Sequence, residues 1–165
     1  MLGEWMEREI REQPEVLAKG ARSYRDLLGP ALGGRSFDMV LLVARGSSDN
    51  AALYARYVIE TFLQIPVSLA APSVLTRYGK RIRYPKCLGI GISQSGAAPD
   101  VAEVLESLQQ DGHTTVAITN TAGSRLASEA EITLLLDAGK EKSVAATKTY
   151  SASQIGRASC RERVW

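Results

Sequence analysis

Histidine is nearly missing from this 165-residue sequence, which carries one, and cysteine is scarce at two. Cys87 sits inside an apolar run and Cys160 near the end, so neither a disulfide framework nor a metal-ligand spacing is present. No apolar run approaches the roughly 18 residues that a membrane span needs. Glu4, Glu7, Arg8, Glu9, Arg11 and Glu12 in the opening stretch are at odds with a secretory leader, and a cytoplasmic address is expected. An excess of one charge is missing too. The formal net charge is +2, but IGRASCRERVW, the last eleven residues, holds three arginines and one glutamate; without it 17 basic and 17 acidic residues balance. Global charge therefore points to neither nucleic acid nor membrane. The segment RYGKRIRYPK, Arg77 to Lys86, is a local basic cluster. It reads as a solvated loop or subunit contact, with a patch that attracts anionic ligands as the alternative. Only Tyr78 and Tyr84 offer it stacking rings, which disfavours nucleic acid.

What is present suits one globular domain with a real core: 45% hydrophobic and 23% charged residues. Five short apolar runs read as buried strands: MVLLVA (39–44), PVSLAA (66–71), the run beginning at Leu88, TVAIT (115–119) and EITLLL (131–136). Helical patterns fall at Asn50–Leu63, Pro99–Gln110 and Ser124–Ser128, with another expected from about Ala146. Residues 72–85 have no clear period and read as loop plus a possible short helix. Ahead of the first strand, residues 3–28 predict one helix, or two with a break at Pro14, after which Gly29, Pro30, Gly33 and Gly34 punctuate. Strands alternating with helices predict an α/β fold, a doubly wound open five-stranded parallel sheet flanked by helices in flavodoxin-like order 2-1-3-4-5. The expected division is a helical segment at 1–34, a domain at 35–154 and a foreign tail at 155–165.

In such a sheet, ligands bind beyond the carboxyl ends of the first and third strands, where the winding reverses. Both places are hydroxyl-rich. The first strand leads into RGSSDN, Arg45 to Asn50; the third runs through LGIGISQSGAAPD, Leu88 to Asp100, with Ala97 to Asp100 reading as a first helical turn. Unpaired N–H groups at a helix start accept an anion, glycine lets the backbone approach it, and Ser93 and Ser95 add donors. Ser47 and Ser48 suit sugar hydroxyls, since a hydroxyl both donates and accepts. Each serine, and Asp49 and Asp100 likewise, also has a plainer reading as a helix cap. Rival motifs fail on spacing. GIGISQ has Gln94 where a dinucleotide fingerprint needs its third glycine, and Ser95 stands where a nucleophile elbow needs its last one. His113, ahead of the fourth strand and opposite the carboxyl edge, reads as a surface turn residue.

VARGSSDNA, GISQSGAAPDV and KSVAATKTY, in this order and spacing, resemble a sugar isomerase (SIS) domain. MEREIREQPEVL resembles the start of the isomerase part of glutamine:fructose-6-phosphate aminotransferase, and the resemblance covers residues 4 to about 154. It is nearest to two-SIS-domain proteins described as aminotransferase-like or as isomerising glucosamine-6-phosphate deaminases. The resemblance implies a phosphosugar site for fructose 6-phosphate or glucosamine 6-phosphate, with no cofactor and no metal. Ser93, Gln94 and Ser95 would hold the phosphate beside Gly96. Gly46, Ser47 and Ser48 would meet phosphate or sugar hydroxyls, and Val144 and Ala145 would line the sugar. Ala98 and Ala146 replace a threonine and a serine of the aminotransferase, which favours the deaminase-like branch; Arg45 replaces a cysteine of the synthase. The family's proton-transfer groups come from a second SIS domain and a C-terminal tail, partly across a homodimer. With no histidine or carboxylate at the two junctions beyond Asp49 and Asp100, this chain is expected to bind sugar phosphate without turnover. A truncated gene product with one sheet face partly bare is the expected form; a sugar-phosphate-sensing module without catalysis is the alternative.

Overall fold

The computed structural model describes residues 4–142 and 146–158, with side chains through 154. Val144, Ala145, Cys160 and the tail after 158 lie outside the described residues. Strands β1 (Met39–Ala44), β2 (Val67–Leu69), β3 (Cys87–Ile92), β4 (Thr114–Thr119) and β5 (Ile132–Leu135) form one parallel sheet in the order β2-β1-β3-β4-β5. Helices α1 (Glu4–Leu32), α2 (Ser47–Leu63), α3 (Pro72–Thr76), α4 (Pro99–Gln110), α5 (Arg125–Ser128) and α6 (Lys148–Ala158) complete the chain. The winding reverses between β1 and β3. These strands pair from Met39 opposite Cys87 to Ala44 opposite Ile92, so Arg45 and Ser93 leave the sheet side by side.

Alternate side chains of each strand point to opposite faces. Val40, Leu42 and Ala44 of β1, with Leu88, Ile90 and Ile92 of β3, pack against Tyr24, Leu28 and Leu32 of α1, Ala52, Ala55 and Ile59 of α2, and Ala152 of α6. Leu41 and Val43 face the other way, onto Val101, Ala102, Leu105 and Leu108 of α4 and Leu126 of α5. Both faces are covered. The expected bare face is not found, because α1 lies across it; the large exposed apolar strand residues are Leu69 and Leu135, on the two edge strands. β3 carries glycine at its two positions under α4. A Cβ on Gly89 would stand 2.5 Å from Leu108 Cδ1, and one on Gly91 would stand 2.5 Å from Leu105 Cδ1, so the glycines exist to let the helix down onto the strand.

Four expectations are refined or corrected. Of the one-helix and two-helix readings, one helix is found, and α1 runs through Pro14 and on past the expected end at 28, through Pro30, to Leu32. Both prolines are exposed, and the helix is gripped on either side of Pro14 by contacts that offset the one lost hydrogen bond. α2 begins at Ser47 rather than Asn50, while α4 begins at Pro99 and leaves Ala97 and Ala98 in the loop. The second strand is cut to three residues, as an edge strand has a ladder on one side only. His113 does lie in the turn before β4, half-buried, its N–H bonded to Leu108 O at 3.0 Å.

Tyr24 ties α1 to the end of β5 by donating to Leu136 O at 2.9 Å. Burial, and secondarily the negative charge of Asp137, raises its pKa to about 12, and burial raises that of Cys87 to about 11. Both groups are protonated when folded and ionise more easily when unfolded. Stability is therefore expected to hold up to about pH 9 and to fall as pH rises through about 11 and 12. Absorbance of tyrosinate during alkaline unfolding checks this. Tyr24→Phe should lower stability near neutrality by about 1 kcal/mol and flatten the upper part of that decline.

Candidate functional site

The register of β1 and β3 delivers two turns to one end of the sheet. The first turns on Gly46, whose φ of 61° and ψ of −130° lie in a region open essentially to glycine alone. That conformation swings the chain directly into α2, so Ser47 and Ser48 belong to the helix's first turn. Gly46 is the N-cap and makes no side-chain hydrogen bond, so none of Ser47, Ser48 and Asp49 caps α2. Ser47 is exposed and Ser48 half-buried.

The second turn is Ser93 to Ala98. Ser93 N–H extends the ladder to Ile118 O at 3.1 Å, and Ser93 O accepts Gly96 N–H at 3.1 Å. Gln94 O accepts Asn120 N–H at 2.9 Å and the Thr119 hydroxyl at 3.2 Å. In a trans peptide the N–H points opposite to the C=O. With the Ser93 and Gln94 carbonyls held inward, the N–H groups of Gln94 and Ser95 point outward, and among the described residues neither has an acceptor. Ser95 Oγ accepts Ala97 N–H at 3.3 Å instead of capping α4, whose N-cap is Ala98. Gly96 has φ +64° and sits against Ser124. Asp100 reaches across the switch point and pairs with Arg45 at 3.4 Å, so it joins the two junctions, and this gives Arg45 a use at its position.

The predicted residues gather unevenly. Ser47, Ser48 and Gln94 line one narrow cleft with Ala51, Ala146, Thr149, Tyr150 and Ser153. Gln94 and Ser95 line an adjoining open depression with Asn120, Asp137 and Glu141. Ser93 is 8% exposed and lines neither; its main chain shapes the turn. Val144 and Ala145 fall outside the described residues.

The structure adds a carboxylate that motif reading missed. Glu141, in the loop between β5 and α6, accepts Gln94 Nε2 at 2.9 Å, Thr147 N–H at 2.7 Å, Thr147 Oγ1 at 3.0 Å and the Thr149 hydroxyl. The expectation that only Asp49 and Asp100 stand near the junctions is therefore corrected. The signal was present, since Glu141 lies directly ahead of KSVAATKTY, but 47 residues separate it from Gln94 and only the fold joins them.

Elsewhere, a small, mainly apolar pocket lies between α3, α4 and residues 80–84. Arg81 at its rim is engaged by Ser107, Gln110 and Asp111. That part of the basic cluster is a structural contact with α4. Among the described residues no helix is long and apolar enough to cross a membrane.

The sequence profile of the SIS domain matches residues 36–155. Glutamine–fructose-6-phosphate aminotransferase (isomerizing) of Bacillus licheniformis is 37% identical over 155 residues, which are 90% of this chain and 26% of the relative. The crystal structure of a candidate phosphosugar isomerase from Silicibacter pomeroyi DSS-3 superposes with a TM-score of 0.90 at 36% identity, covering 97% of this chain and 50% of that one. The C-terminal domain of glucosamine-fructose-6-phosphate aminotransferase from Francisella tularensis gives 0.79 at 27% identity, covering 94% and 45%. The chain thus spans about a quarter of the curated relative and half of the solved one.

Proposed function

The chain belongs to the SIS domain family, and on that premise we propose that the crevice between α2, the 93–98 turn and the 137–147 loop binds a sugar phosphate, fructose 6-phosphate or glucosamine 6-phosphate. The observation that carries this is the pair of outward N–H groups at Gln94 and Ser95, with Gln94 lining both the cleft of Ser47 and Ser48 and the adjoining depression of Ser95. Ser93, Gln94 and Ser95 with Gly96 take the phosphate in this reading. Gly46, Ser47 and Ser48 take phosphate or sugar oxygens, and Val144 with Ala145 the sugar.

Hydrogen bonds to a charged group contribute about 1.5–3 kcal/mol each. Calorimetric titration of fructose 6-phosphate is therefore expected to show binding that weakens about tenfold or more in Ser95→Ala and less in Ser93→Ala, whose main chain is unchanged. Affinity unchanged in both variants would remove the phosphate assignment. The family activity proposed is isomerisation or deamination of an aminosugar phosphate, or amination of a ketose phosphate, in cytoplasm and as a homodimer, whose assembly sedimentation velocity would read.

The chain by itself is proposed to bind without turnover. A general base must reach the proton it moves. Asp100 is paired with Arg45, and the Glu141 carboxylate already accepts bonds from Gln94, Thr147 and Thr149. Detectable isomerisation of fructose 6-phosphate by the isolated chain would overturn that part alone.

A further inference from the structure

One face of α1 changes character along its length. In its second half Tyr24, Leu28 and Leu32 bury against the sheet. In its first half the same kind of helical spacing, Trp5, Glu9, Glu12 and Gln13, is polar or amphipathic, and it meets the segment that walls the crevice. Glu9, 3% exposed, accepts the main-chain N–H of Lys142 at 2.5 Å. The Lys142 ammonium lies 3.9 Å from the centroid of the Trp5 ring. Lys148, at the first turn of α6 and 4% exposed, donates to Glu12 at 2.6 Å. The Ser151 hydroxyl donates to Gln13 at 2.9 Å. Farther along, Lys19 pairs with Asp137.

These contacts bracket Glu141 on both sides, at 142 and at 148. A buried charge is tolerated only when paired, and removing one partner of such a pair is strongly destabilising locally. Lys142 and Lys148 are therefore both tied to α1. Glu141, next to Lys142, in turn orients Gln94. From this geometry we propose that Glu9 and Glu12 are positioning residues: α1 acts as a latch that sets residues 138–142 and 146–148 and, through Glu141, the Gln94 side-chain amide, which meets the sugar part of the ligand while the Gln94 main-chain N–H meets the phosphate.

The proposal rests on the sugar-phosphate reading of the crevice for its ligand, though the latch itself does not need it. Ligand binding and seating of the segment on α1 are then reciprocally coupled. Coupling of this kind is commonly about 5- to 150-fold in affinity. Glu12→Gln and Glu9→Gln are each expected to weaken fructose 6-phosphate binding by about tenfold, with little change for inorganic phosphate, which needs only the main-chain N–H groups of the 93–96 turn and not the Gln94 side chain. The charge-swapped pair Glu12→Lys with Lys148→Glu should recover much of the loss, which general destabilisation would not allow.

Amide hydrogen exchange of the ligand-free chain provides the arm independent of any sugar. In Glu12→Gln, exchange over 138–148 should quicken while amides of β1, β3 and β4 keep their protection. Trp5 emission, recorded in a Trp165→Phe background, should respond to fructose 6-phosphate and lose that response in Glu12→Gln. If the wild-type chain binds no sugar phosphate, the functional reading fails, and exchange alone decides the latch. Exchange over 138–148 that is unchanged in Glu12→Gln, or sugar-phosphate affinity unchanged in both glutamine variants, overturns the proposal.

Discussion

Gly96→Ala is expected to abolish sugar-phosphate binding and to lower the melting temperature by several degrees. At φ +64° an alanine is strained whatever the space, and here there is none. Its Cβ would lie 2.0 Å from Ser124 Oγ, 2.4 Å from Ser124 Cβ and 2.8 Å from Thr119 Oγ1. The turn cannot drift away, because Gly96 donates to Ser93 O at 3.1 Å while its carbonyl accepts Leu126 N–H at 3.1 Å. Strain and overpacking together come to about 2–5 kcal/mol. Either they unfold the turn or they rotate the Gln94 and Ser95 N–H groups away from the ligand. Ser124 Oγ is buried with no partner among the described residues, so Ser124→Gly removes the obstruction without breaking a hydrogen bond of that side chain. Adding Ser124→Gly to Gly96→Ala should restore part of the stability, leaving the backbone strain. Thermal melts and calorimetry on the three variants give the answer, and a Gly96→Ala protein that binds fructose 6-phosphate like wild type would sink the account of the turn.

A comparably large loss of stability is expected at Leu105→Ala, about 2–5 kcal/mol, or roughly 5–15 °C in melting temperature. Leu105 is fully buried and sits over Gly91, which has no side chain to relax into the space. The cavity should therefore persist, at the upper end of the usual range. Gly91→Ala alone is expected to cost about 1–3 kcal/mol by overpacking, because its Cβ would meet Leu105 Cδ1 at 2.5 Å, Leu105 Cγ at 3.0 Å and Leu126 Cδ1 at 3.1 Å. In the double variant the new methyl occupies part of the space the leucine left. The two losses should then fall short of their sum by about 1 kcal/mol or more. Strict additivity in denaturant melts would mean that α4 does not rest on β3 in this way.

The fold was readable because its signals are local and repeated. The apolar runs of β1, β3 and β4 are bounded by turn residues and buried on both faces, and α4 opens with proline and keeps its apolar stripe on one side. Parallel pairing with crossover helices leaves few ways to order five such strands. Where the reading went astray, tertiary contact overrode a local preference. Pro14 is a helix breaker in isolation; in α1 it lies between Gln13, bonded to Ser151, and Val16 and Leu17, which pack against the core. Ser47 and Ser95 are good caps in isolation, yet the positive-φ geometry of Gly46 and the hydrogen-bonded 93–96 turn use them otherwise.

Membership of the SIS family was legible as three short motifs in order, and the profile match over residues 36–155 establishes it. The polar anchoring of Asp137, Lys142 and Lys148 to α1 was not legible. Glu9 and Glu12 look like solvent-facing charges in EREIREQPE, and Lys148 looks like one more surface lysine. Nothing in their spacing shows that Glu9 and Lys148 are buried, since their partners lie more than a hundred residues away in sequence.

What the sequence by itself determined is the set of strands and helices, their parallel winding, and hence the end of the sheet at which two serine-bearing turns emerge; periodicity and chain connectivity are short-range properties that a linear string contains. What only the tertiary structure decided is which groups those turns leave unpaired, that Glu141 meets Gln94, and that α1 grips the wall of the crevice. Those outcomes depend on burial and on hydrogen-bond partners brought together by closure of the chain, and a charge becomes costly to leave unpaired only after folding has taken water away from it.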